Sequence, residues 1–180
     1  MHVKKLIGTK CYLSPIDARD TRILTEWLND VEIRINLQLD CGVISLENGE
    51  MFLNTVPRDN SYSIIDVENE ELIGKCGFFA IDRLNQTAEV GIFIANENYW
   101  NRGYGTETLS LLVDYGFKEL HFNNIMLKTC EHNQEAIKSY EKIGFKQIGI
   151  RREALYMHLE KYNIVYMDIL TGDYEKLNRA

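Results

Sequence analysis

A strand that runs through a glycine-bearing turn into a long amphipathic helix constrains this chain more than any other feature. Thr87 to Ile94 alternates as a strand does, and Leu109, Leu112, Val113, Gly116, Phe117 and Leu120 recur at helical spacing. Between them lies Tyr99-Trp100-Asn101-Arg102-Gly103-Tyr104-Gly105-Thr106-Glu107, with the helix expected over Thr106 to Leu120. Ile125 to Cys130 then reads as a compact strand. A helical crossover returns the chain to the same sheet, so these two strands are expected to be parallel neighbours.

The flanking segments fix the rest of the fold class. Tyr62 to Val67, Leu72 to Asp82 and Thr87 to Ile94 form a three-strand meander, with turns at Asp66–Glu71 and Arg83–Gln86. Asn133 to Ile143 is a second helix, with Ala136, Ile137, Tyr140 and Ile143 inward and Gly144 closing it. Phe145 to Arg151 and Tyr162 to Leu170 are the closing strands. Upstream, Lys10 to Leu13 is a short strand, and Asp17 caps a helix carrying Ile23, Leu24, Trp27 and Leu28 on one face. A helical turn is expected around Val31 to Ile35. Another helix is expected from Ser45 through Thr55, with Met51 and Phe52 inward, before the break at Pro57-Arg58-Asp59-Asn60. The expected class is α/β (α+β): a mixed, mostly antiparallel central sheet flanked by helices, with one parallel pair that parts at its C-terminal ends.

The turn also has a chemistry. The first N–H groups of a helix lack internal partners and point back into the residues before it. Glycine lets a ligand approach that backbone closely, and the positive helix end favours an anion, so the turn suits a phosphate or pyrophosphate. Two familiar phosphate motifs are excluded. A Walker loop needs Lys and then Ser or Thr directly after its last glycine, where this chain has Thr106 and Glu107. A dinucleotide fingerprint needs a small residue at the position of Thr108.

With 180 residues the chain is expected to be a single domain, with its core over about residues 10–170. A net charge of −7 argues against non-specific nucleic-acid binding and is compatible with a cationic substrate. No apolar run approaches a membrane span and no signal peptide is visible, so the cytoplasm is the expected compartment. Cys11, Cys41, Cys76 and Cys130 are scattered and read as reduced, mostly buried thiols. His2, His121, His132 and His158 have no metal-ligand spacing, so no metal is expected. The acidic run Asp66-Val67-Glu68-Asn69-Glu70-Glu71 reads as a solvated hairpin tip.

Trp100 to Glu107, followed by Asn133-Gln134-Glu135-Ala136-Ile137-Lys138-Ser139-Tyr140-Glu141-Lys142-Ile143-Gly144-Phe145, resembles the acetyl-CoA-binding half of the GNAT acyltransferase superfamily. Tyr12-Leu13-Ser14-Pro15 and Glu89-Val90-Gly91-Ile92-Phe93-Ile94 also fit, and the likeness covers roughly residues 10 to 170. It is greatest to the branch of the Rim-type ribosomal-protein acetyltransferases and the spermidine acetyltransferases. Trp100 stands where the wider superfamily often has Gln or Arg, a change that is common in the Rim-like branch.

The resemblance implies acetyl-CoA as donor and no metal. It places the pantetheine arm along Phe93, Ile94 and Ala95, and the pyrophosphate on the amides of Arg102, Gly103, Tyr104, Gly105 and Thr106. Asn133 would bond the cofactor arm, although it also reads as a plain helix cap. Tyr140 would protonate the leaving thiolate, where the residues alone favour an ordinary core tyrosine on the inward face. Glu89 would take the proton of the attacking amine, where the alternative is an exposed or ion-paired strand carboxylate. The acceptor would be a small amine or a peptide N-terminus, with Trp27, Asp30, Glu32, Asp40, Tyr156 and Tyr162 as candidates to receive it. The expected function is an N-acetyltransferase using direct transfer, with no nucleic-acid or membrane partner and with homodimer formation left open. Alternatives are a polyamine acetyltransferase specifically, or a non-catalytic acyl-CoA sensor.

Overall fold

The computed structural model describes residues 2–37, 42–49, 60–157 and 159–179, apart from the side chains of residues 32, 35, 36, 178 and 179. Asp40, Cys41, Met51, Phe52, Thr55, Pro57 to Asp59 and His158, named above, lie outside the described residues, as does the side chain of Glu32. The strands are β1 (Leu6–Ile7), β2 (Cys11–Pro15), β3 (Ser61–Asp66), β4 (Leu72–Asp82), β5 (Thr87–Ile94), β6 (Asn124–Cys130), β7 (Lys146–Met157) and β8 (Glu160–Leu170). The helices are α1 (Thr21–Leu28), α2 (Val31–Leu37), α3 (Tyr104–Lys118), α4 (Gln134–Ile143) and α5 (Thr171–Arg179), with a further helical segment at 46–49. The sheet runs β1-β2-β3-β4-β5-β6-β8-β7. It is the expected mixed, mostly antiparallel sheet flanked by helices.

The chain divides into two compact units, the first comprising residues 1–79 and 91–111 and the second 80–90 and 112–180. In the first unit β1 to β4 form an antiparallel ladder, with Leu6 opposite Leu13, Leu13 opposite Ile64, and Ile64 opposite Gly74. Tyr12, Leu24, Ile65 and Leu72 form a buried cluster, against which Ile16, Trp27, Val67 and Phe93 pack. Asp17 caps a 3-10 turn before α1, its carboxylate accepting from Arg19 N–H at 2.8 Å. Ser45 Oγ accepts from Asn48 N–H at 3.1 Å, so the expected cap at this helical segment is present.

In the second unit the first residues of β5 run parallel to β6, as the crossover requires. Their register runs over Thr87–Glu89 and Asn124–Met126, while β5 goes on to Ile94 and β6 to Cys130. β8 lies antiparallel between β6 and β7. Leu112, Val113, Ile125, Leu127, Val165, Met167 and Ile169 are all within 3% of complete burial and fill this core. α4 ends on Gly144 at φ 108, where glycine carries no penalty. Cys11, Cys76 and Cys130 are buried free thiols, each pushed up from its ordinary pKa chiefly by burial.

Several elements differ from the sequence reading, among them β1, which was not foreseen, and β8, which begins at Glu160 rather than Tyr162. α3 spans Tyr104–Lys118 rather than starting at Thr106, β7 continues past Arg151 to Met157, and α5 was not foreseen. α5 has little apolar periodicity of its own. It is held by long-range contacts: the Tyr174 hydroxyl on the Asp114 carboxylate, the Tyr174 ring 5.1 Å from that of Phe117, and Lys146 Nζ 2.7 Å from Asp173.

Candidate active site

The turn before α3 is built by two left-handed residues. Asn101 has φ 55 and Gly103 φ 88, and Gly103 O accepts the first helical bond from Glu107 N–H at 3.0 Å. Gly105 is not left-handed. A β-carbon there would stand 3.9 Å from Ile94 Cδ1, an ordinary contact, so of the two glycines Gly103 is the one whose backbone conformation needs glycine. The N–H groups of Arg102, Gly103, Tyr104, Gly105 and Thr106 donate to no acceptor among the described residues. They gather at the positive end of a 15-residue helix. Arg102 is exposed, with Nη1 donating to Asn98 O at 3.1 Å.

Carboxylates hold this turn in place. Asp66, 2% exposed, accepts from the Tyr104 hydroxyl at 2.5 Å and from the N–H groups of Glu68 and Asn69. Burial works against its charge, but the Tyr104 hydroxyl and those amides outweigh it and hold the carboxyl below its ordinary range. The same bond, with burial, pushes the Tyr104 phenol up to about 12. Glu107 accepts from the amide and hydroxyl of Thr9 and from the Lys10 amide. Glu71 accepts from the Tyr99 hydroxyl at 2.8 Å, and Glu70 from the Tyr12 hydroxyl at 2.5 Å. The acidic run does turn between β3 and β4 with Glu68, Glu70 and Glu71 exposed, as a solvated tip would, but Asp66 is buried. Three tyrosines distant in sequence bond its carboxylates, a pattern with no local signal.

The end of β5 adjoins the turn. Ala95 N–H donates to Ile73 O at 2.9 Å, and Ile94 O accepts from the Trp100 indole at 2.8 Å. Strand groups alternate in direction, so Ala95 N–H faces β4 while the N–H and C=O of Ile94 face the other way. Phe93 meets Trp27 edge to face at 6.4 Å. Trp100, the departure from the wider superfamily, thus fixes the carbonyl of the strand residue before the turn.

Phe93, Ile94, Ala95 and Arg102 to Thr106 all belong to the first unit, whereas Glu89, Asn133 and Tyr140 belong to the second. Glu89 is 9% exposed, and its Oε1 lies 3.3 Å from Lys128 Nζ in an ion pair without satisfying hydrogen-bond geometry. The ion-paired alternative is thus present, and Lys128 is a partner the sequence reading missed. Asn133 caps α4, its side chain accepting from Ala136 N–H at 3.1 Å. Tyr140 is half-buried, and desolvation pushes its phenol up to about 12. Its carbonyl accepts from Phe145 N–H at 3.1 Å and from Gly144 N–H, which pins the last turn of α4. Of the acceptor candidates, Asp30 Oδ1 accepts from Ile33 N–H at 3.1 Å at the start of α2, and the Tyr162 hydroxyl donates to Glu160. Tyr156 is exposed.

A mixed sheet with a parallel pair after the meander, and a helix start presenting free amides after β5, together define an acyl-CoA-using transferase fold. The chain belongs to the GNAT acetyltransferase family: the family model described as an acetyltransferase (GNAT) domain matches residues 10–146. An uncharacterised N-acetyltransferase, p20, of Bacillus licheniformis is 30% identical over 156 residues, covering 84% of this chain and 87% of that relative. A putative ribosomal N-acetyltransferase, YdaF, of Bacillus subtilis is 30% identical over 104 residues, covering 58% of this chain and 56% of that relative. In fold, the chain is similar to the crystal structure of spermidine N-acetyltransferase from Vibrio cholerae in complex with CoA and spermine. The TM-score is 0.84 at 22% identity, covering 93% of this chain and 99% of that one. The protein is an acetyltransferase of this family. Among the described residues, no helix is long and apolar enough to cross a membrane.

Proposed function

We propose that the protein transfers an acetyl group from acetyl-CoA directly to a primary amine. The observation that carries this is the set of unpaired amides from Arg102 to Thr106, at a helix start, in a chain of the GNAT family. Those amides suit the donor's pyrophosphate, and the outward-facing groups of Ile94 suit its pantetheine amides. Asn133 bonds the same arm. Glu89, directly or through water, takes the proton of the attacking amine, whose free pKa is ~10.4 for an alkylamine and ~8 for a peptide N-terminus. The nitrogen–carbon bond forms, the carbon–sulfur bond breaks, and Tyr140 gives its proton to the departing sulfur and regains one from solvent.

The acceptor is a cationic amine, a polyamine or a protein N-terminus, favoured by the net charge of −7. The chain works as one N-acetyltransferase domain in the cytoplasm. Thermal shift with CoA, acetyl-CoA, ATP and NAD tests the donor. A hundredfold excess over the dissociation constant stabilises by about 2.7 kcal/mol. Response to ATP or NAD but not to CoA would overturn the reading. Acetyl-CoA consumption across polyamines, aminoglycosides, amino acids and basic peptides then names the acceptor, and no consumption with any of them returns the sensor reading.

Glu89→Gln separates the base from a merely ion-paired carboxylate. Turnover at pH 7 is expected to fall about a hundredfold. The deficit should narrow as pH rises towards the amine pKa, because the acceptor then arrives already neutral. A pH profile of kcat/KM reads this directly, and an equal loss at every pH would assign Glu89 to its pair with Lys128.

A further inference from the structure

A cation stands beside the donor turn that the sequence reading did not single out. Lys10 precedes β2, and both sides of its backbone are fixed. Its N–H donates to Glu107 Oε1 at 2.9 Å, in the first turn of α3, across 97 residues of sequence. Its C=O accepts from Val67 N–H at 2.9 Å. The side chain is exposed and runs along the turn. Its Cε is 3.6 Å from the place a β-carbon at Gly103 would take, and its Nζ is 5.9 Å from the centre of the Tyr104 ring.

We propose that Lys10 is a phosphate-binding residue of the donor site, its ammonium contacting the pyrophosphate seated on the amides of Arg102 to Thr106. This rests on the acetyl-CoA reading above. An ammonium near a positive helix end is unfavourable unless something negative lies between them. The nearby carboxylates accept from neutral groups rather than from the Lys10 ammonium. Glu107 serves the backbone of Thr9 and Lys10, and Asp66 serves Tyr104 and two turn amides. Lys10 makes no ion pair among the described residues, and Arg102, in the turn itself, is another cation. A bound pyrophosphate would place further negative charge against Lys10, Arg102 and the helix end together. Glu107 is then a positioning residue, tying the backbone that carries Lys10 to the helix that carries the amides.

Lys10→Met keeps most of the stem and removes the charge. Titrations with CoA, dephospho-CoA and pantetheine, at two salt concentrations, read its role. Affinity for CoA and for dephospho-CoA, which both carry the pyrophosphate, is expected to fall about three- to tenfold. Pantetheine binding should be unchanged, Lys10→Arg should retain most of the affinity, and the salt dependence of CoA binding should flatten in Lys10→Met. Wild-type affinity in Lys10→Met would overturn the role. So would an equal loss with pantetheine, and so would a loss confined to CoA, which would mark a 3′-phosphate contact instead. If the wild-type protein bound none of the three, the acetyl-CoA reading itself would fall, a result distinct from tight CoA binding that ignores Lys10.

Discussion

Tyr140→Phe is expected to lower kcat by about two to three orders of magnitude while leaving acetyl-CoA affinity within about twofold. The substitution deletes one hydroxyl and keeps the ring that lies 6.2 Å from Phe145. The backbone there is fixed independently, by Gly144 and Phe145 on the Tyr140 carbonyl and by the Asn133 cap at the other end of α4. With the phenol pushed up to about 12, the proton is present throughout the neutral range, so its loss cannot limit the wild-type rate below about pH 10. Steady-state rates at saturating donor, with a CoA titration of the variant, separate catalysis from binding. Wild-type kcat in a folded variant would sink the role of the hydroxyl.

What was legible in the sequence was what depends on neighbours in the chain. The alternation of Thr87 to Ile94 and the apolar spacing from Leu109 to Leu120 are local patterns, and β5 and α3 lie where those patterns placed them, within two residues at each end of α3. Gly103 was legible as a glycine of the strand-to-helix turn, read as permitting close approach of a ligand; its left-handed backbone emerged only with the structure. Gly105 carries the same letter without that backbone conformation: a β-carbon there would meet Ile94 Cδ1 at an ordinary 3.9 Å. The partners of the turn were not legible. Asp66 looked like part of a solvated acidic run because its run is acidic, and the Tyr104 hydroxyl that neutralises that reading is 38 residues away. Lys128, which pairs with Glu89, sits on the neighbouring parallel strand and follows only from register. α5 depends on Tyr174 meeting Asp114, a contact 60 residues apart that no window of its polar sequence encodes.

Gly74→Ala is expected to damage both stability and donor affinity. A β-carbon at this position would lie 2.2 Å from Phe93 O, 3.0 Å from Ile94 Cα and 3.1 Å from Phe93 C. These are backbone atoms, so no side-chain rotation relieves the clash. On its other side Gly74 is paired with Ile64, which is fully buried, so β4 cannot retreat freely. The end of β5 must move instead. Overpacking of this kind costs about 1–3 kcal/mol, roughly a 2–12 °C fall in Tm for a chain of this length. The displaced atoms belong to Phe93 and Ile94, the segment proposed to pair with the pantetheine arm, so acetyl-CoA affinity should weaken by more than about tenfold even at temperatures where the variant is fully folded. Gly149→Ala is the control, because a β-carbon there meets nothing within 4 Å. Melting curves and donor titrations on the two variants divide the effects. A Gly74→Ala protein that is less stable yet binds acetyl-CoA as tightly as wild type would remove the end of β5 from the donor site.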